Sequence, residues 1–95
     1  MKTYVVERNL PGAGEMTTDE LEVVSLAWSN AIEELRKPHS WLHSYITEDK
    51  IYCIHVAESR EAIREHSRIA KFPINTICEV KCILAPKRNE ASTKM

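Results

Sequence analysis

At 95 residues the chain supports one modest core, since a domain of this size buries roughly 60–65% of the surface its unfolded form exposes. Thirteen Lys+Arg stand against fourteen Asp+Glu, a formal charge of -1, which excludes nucleic acid as the main partner because phosphate binding needs a clustered basic surface. Hydrophobic residues at 43% and charged ones at 28% exclude a disordered chain, and no apolar run is long enough to span a membrane. The first element is the β-branched and aromatic run Thr3–Arg8, which reads as a strand. Pro11, Gly12 and Gly14 then mark a loop holding both glycines of the chain, and so a backbone shape that tolerates a Cβ poorly.

Thr17 to Glu20 fits a capping box, and Leu21, Val24, Trp28, Ala31, Ile32 and Leu35 follow at helical spacing until Pro38 stops the helix. Two β-like runs, 40–47 and 50–57, joined by a polar turn, read as a hairpin. Ser59 caps a second helix running to about Ala70, and Phe72-Pro73 closes it. Asn75–Leu84 alternates and is rich in Ile and Val, a fourth strand, and 86–95 is a polar, disordered tail after a single domain over 1–85. The order βαββαβ is the ferredoxin-like arrangement, an α+β fold with a four-stranded antiparallel sheet and two helices on one face. The other face then carries apolar residues without a cover, which predicts a homodimer stacked sheet on sheet.

The N-terminus MKTYVVERNLPG lacks the apolar segment of a secretory signal, and three cysteines (Cys53, Cys78, Cys82) are an odd number. Both point to a cytoplasmic protein with free thiols. No CxxC pair exists, and Cys78 and Cys82 would lie roughly 13 Å apart on a strand, too far to share an ion. The thiols read as small buried hydrophobes.

The histidines carry more information. His39 follows Pro38 at a helix-to-strand junction and reads as exposed. Pairing Ile46 with Ile51 puts Trp41, His43 and Tyr45 on one face of the hairpin, and Leu42, Ser44, Ile46, Cys53 and His55 on the other. His66 falls on the apolar stripe of the second helix, where it is either a core histidine satisfied by backbone or a ligand beside His43 in one cavity. Glu7, at the end of the first strand, is a candidate ligand or general base, or a solvated strand end. Phosphate-loop, dinucleotide, nucleophile-elbow and zinc-protease motifs are absent.

Val6–Arg8 with Pro11–Gly14, His43–Thr47 with Asp49–Cys53, and Arg64–His66 with Phe72-Pro73 together resemble the small bacterial nickel-binding proteins of ferredoxin-like fold. The resemblance covers residues 3–85. It implies a dimeric α+β barrel-like assembly able to bind nickel, and the candidate metal residues matched to its motifs are Glu7, His43, Tyr45 and His66. His55 stands where an aromatic residue is more usual, so it is not counted as a ligand, and Lys71 stands where a glycine is expected. Divalent nickel suits imidazole nitrogen with carboxylate or water oxygen, and such a site also takes copper or zinc. The competing readings are a small cofactor-free monooxygenase-like enzyme of the same shape, an analogy of fold, and a plain dimerisation module.

Overall fold

A computed structural model describes residues 1–86; the proposed tail, from 87 onward, lies outside the described residues. The chain forms strand β1 (Lys2–Asn9), a 3-10 turn (Ala13–Glu15), helix α1 (Thr18–Leu35), β2 (His39–Ile46), β3 (Lys50–Ala57), helix α2 (Arg60–Ala70) and β4 (Thr76–Glu79). All strand pairs are antiparallel, in the order β2-β3-β1-β4. This is the ferredoxin-like α+β fold.

Local chemistry accounts for most boundaries. The Thr17 hydroxyl accepts from the Glu20 N–H while the Glu20 carboxylate accepts from the Thr17 N–H, so both halves of the capping box are made. The Ser59 hydroxyl accepts from the Ala62 N–H to start α2. Both helices end on a left-handed residue, Arg36 (φ 56°) and Lys71 (φ 64°), positions that a residue without Cβ fills at least cost. The glycine loop behaves as its composition suggests. Gly12 has φ 82°, and a Cβ on Gly14 would sit 3.0 Å from the Glu48 Cα and from the Thr47 carbonyl oxygen. The loop is thus pressed against the β2–β3 turn, where the Gly14 N–H donates to the Glu48 carbonyl at 3.0 Å.

Alternation along β1 and β3 sends Tyr4, Val6, Arg8, Ile51, Cys53, His55 and Ala57 under the helices, all of them buried. Trp28 of α1 roofs this layer, with edge-on ring contacts to Trp41 at 5.0 Å and Phe72 at 5.1 Å. The opposite sheet face keeps Val5, Tyr52, Ile54 and Val56 only half-buried, and leaves Leu42 and Tyr45 more than half exposed.

Two expectations need correction. The fourth strand does not run to Leu84: β4 pairs only with β1, whose Tyr4–Glu7 are matched by Thr76–Glu79, and past the bond from the Val80 N–H to the Thr3 carbonyl β1 has almost no residues left to offer. Of the cysteines only Cys53 is buried; Cys78 and Cys82 are exposed.

Candidate metal centre

The hairpin register pairs Ile46 with Ile51, as the sequence suggests, but it shifts between Trp41 and His43. Trp41 opposes His55 while His43 opposes Ile54, so Leu42 is an extra residue in β2. Such a bulge resets the alternation. From the bulge back towards Pro38 every side chain points to the face opposite the one that uninterrupted pairing would give it. Trp41 therefore turns under the helices to meet Trp28, and His39 is buried rather than exposed.

His39 joins two other histidines there. Their ring centroids lie 4.9 Å (His39–His55), 4.9 Å (His39–His66) and 5.3 Å (His55–His66) apart. One ring nitrogen from each can be chosen so that all three lie within 4.8 Å of one another. All three residues are buried.

Hydrogen bonding constrains the protons. His66 Nε2 lies 3.0 Å from the Trp28 carbonyl oxygen, which can only accept, so Nε2 carries the hydrogen and Nδ1 the lone pair. His39 Nε2 and His55 Nδ1 are 2.7 Å apart and share one hydrogen. His39 Nδ1, His55 Nε2 and His66 Nδ1 are buried without a partner. Burial lowers the pKa of His39 to about 4 and of His55 to about 2, with the neighbouring histidines and Arg8 adding to it. Burial also lowers that of His66, against the hydrogen bond to Trp28. At neutral pH the cluster thus presents uncharged imidazoles, the form that binds a metal. A ring nitrogen fixed by a backbone carbonyl is the usual outer support of a metal-ligating histidine.

Arg8 completes the setting. It is fully buried; its Nη1–H donates to the Ser67 hydroxyl at 2.8 Å and the Pro73 carbonyl at 3.1 Å, and its Nε–H donates to Cys53 Sγ at 3.4 Å. Its guanidinium lies 5.2 Å from the centre of the Trp28 ring.

Of the residues singled out from the sequence, His66 lies in the cluster and the others do not. His43 and Tyr45 project from the outer sheet face, ring centroids 5.1 Å apart, with the sheet between them and His66. Glu7 also points outward, where the Lys50 ammonium at 2.5 Å and the Thr76 hydroxyl at 3.1 Å hold its carboxyl below the usual range. The cavity expected between His43 and His66 is therefore not formed, because strand alternation places them on opposite faces. The sequence reading sets His39 aside as exposed and His55 aside as a non-ligand, and the structure brings both into the cluster. His55 was assigned the same face as Cys53, correctly, and that shared face was the available signal; His39 was hidden by the bulge.

The fold and this site define a ferredoxin-like α+β domain with a histidine cluster between sheet and helices. The chain belongs to the SCO4226-like family: the family model described as "Nickel responsive protein SCO4226-like" matches residues 4–80. Among solved structures, the crystal structure of SCO4226 from Streptomyces coelicolor A3(2) is similar in fold, with a TM-score of 0.73 at 18% identity, covering 86% of this chain and 99% of that one. None of the curated proteins matches.

Proposed function

We propose that the protein binds a divalent transition metal, nickel by preference, through His39, His55 and His66. The observation that carries this reading is the set of three buried imidazoles whose ligand atoms lie within 4.8 Å of one another. Three histidine nitrogens with a remaining position for a further ligand suit nickel, and equally zinc or copper. The preference for nickel rests on the description of the family. His43, Tyr45 and Glu7 have no part in the inner site under this reading.

Two further features belong to the proposal. The half-covered apolar face around Ile54 and Leu42 favours a homodimer stacked sheet on sheet. Three free thiols fit a cytoplasmic, reducing setting; among the described residues no helix is long and apolar enough to cross a membrane.

The test is calorimetric titration of tag-free protein with nickel. His39→Ala, His55→Ala and His66→Ala should each weaken binding at least tenfold, on the order of what disturbing a metal's ligand shell costs. A double variant should lose little more than the worse single one, since one missing ligand already breaks the site. His43→Ala and Glu7→Gln should leave affinity unchanged. Unaltered affinity in all three cluster variants, with the helical dichroism intact, overturns the reading.

A further inference from the structure

The buried charge around the cluster does not balance. Among the described residues the buried polar ones are Arg8, His39, His55, His66 and Ser67, with no carboxylate among them. None of the salt bridges among the described residues involves Arg8. Its guanidinium is satisfied at Nη1 and Nε only by neutral groups, and Nη2 is buried without any partner. An unpaired buried charge of this kind is costly.

Arg8 is also tied to the cluster through its neighbours. It binds the hydroxyl of Ser67, which follows His66 in the chain, and the sulfur of Cys53, which shares a face of β3 with His55. Trp28, under its guanidinium, supplies the carbonyl that fixes His66. A divalent ion held by three neutral imidazoles would raise the buried charge from +1 to +3 with nothing to offset it.

We infer that the site takes its metal together with one small anion, held between the ion and the free Nη2 of Arg8. This rests on the metal-binding reading above. Arg8, His55 and His66 are fully buried and His39 nearly so, so the anion has to be small: a hydroxide drawn from water, or a compact carboxylate such as formate. In the first case a water molecule leaves its proton to the buffer and its hydroxide in the site. In the second no proton is released. Any proton an imidazole gives up on binding the metal is common to both cases, so the difference in proton release reports the anion.

The two sources separate in one set of titrations. Nickel is titrated into the tag-free protein at pH 7.5 in two buffers of different ionisation enthalpy, with and without 50 mM (order of magnitude ~10⁻² M) sodium formate as the probe. Without formate, one more proton should be released per nickel bound than in the Arg8→Met variant. With formate, that extra proton should disappear or the affinity should rise on the order of tenfold, a typical coupling between two ligands. Arg8→Met removes the charge at similar size and should abolish both effects; Arg8→Lys, which keeps the charge if the methionine variant does not fold, should retain them. Nickel binding with no extra proton released and no formate dependence, or binding weakened by formate, overturns the anion while leaving the metal site standing. Absence of nickel binding under every condition overturns both.

Discussion

The side chain with most consequence is His39, which links a quirk of strand pairing to the electrostatics of the core. Its imidazole, and that of His55, are held neutral by burial, with pKa values of about 4 and about 2. In the unfolded chain both return to about 6.5, so the unfolded state takes up protons first as the pH falls. Stability is therefore complete above about pH 6.5 and is lost on acidification, by about 1.4 kcal/mol per pH unit for each histidine. The loss for His39 runs down to about pH 4 and for His55 further still. Urea denaturation of the metal-free protein between pH 7 and pH 5 checks this, and His55→Phe should flatten the decline. A midpoint that does not move with pH would mean that these imidazoles already carry protons when folded. His66 was legible from its place on the α2 stripe, and so was the chance that backbone would satisfy it. His39 was not, since a residue after Pro38 carries no mark of burial.

Among the elements, what the sequence made plain was whatever local chemistry decides. The capping box, the glycine loop and the Ile46–Ile51 pairing all follow from residues within a few positions of one another. The bulge at Leu42 and the early end of β4 depend instead on partners distant in the chain, so no periodicity announces them. The left-handed end of α2 lies between these cases. A glycine was expected at Lys71, and Lys71 adopts φ 64° there, a conformation costing a residue with a Cβ about 1 kcal/mol. Lys71→Gly should accordingly raise stability by about 1 kcal/mol and the melting temperature by roughly 4–8 °C in a domain of this size. Thermal unfolding followed by dichroism measures it; a lower melting temperature would show that the Lys71 side chain contributes more than its backbone costs.

At the scale of the whole molecule, the sheet separates two surfaces: His39, His55, His66 and Arg8 lie on the helix side, and an apolar surface with His43 and Tyr45 on the other. The order of the strands was legible from βαββαβ alone, because that connectivity admits few sheets. If a second copy covers the outer face, light scattering should give about twice the 10.9 kDa chain mass. Ile54→Glu, on that face, should return a monomer that still binds nickel, since the change lies across the sheet from the cluster. A monomer from the unaltered chain at micromolar concentration would argue that this face is used otherwise.

His39 stands at the start of β2, an edge strand bonded on one side only, to β3, and it is the one histidine of the three with any exposure, 8% against none for His55 and His66. If the cluster takes a metal as proposed, the easiest way in is for this strand end to swing away, a local opening that demands far less than global unfolding. Uptake then obeys the clock of the door. In stopped-flow mixing the loading rate should climb with nickel concentration and level off at the opening rate, and release into a chelator should proceed at a pace indifferent to how much chelator waits outside. A rate still rising in proportion at the highest nickel concentrations would mean that the cluster is reached without such an opening. A metal held this way would be kept by slow departure and not by depth of affinity alone.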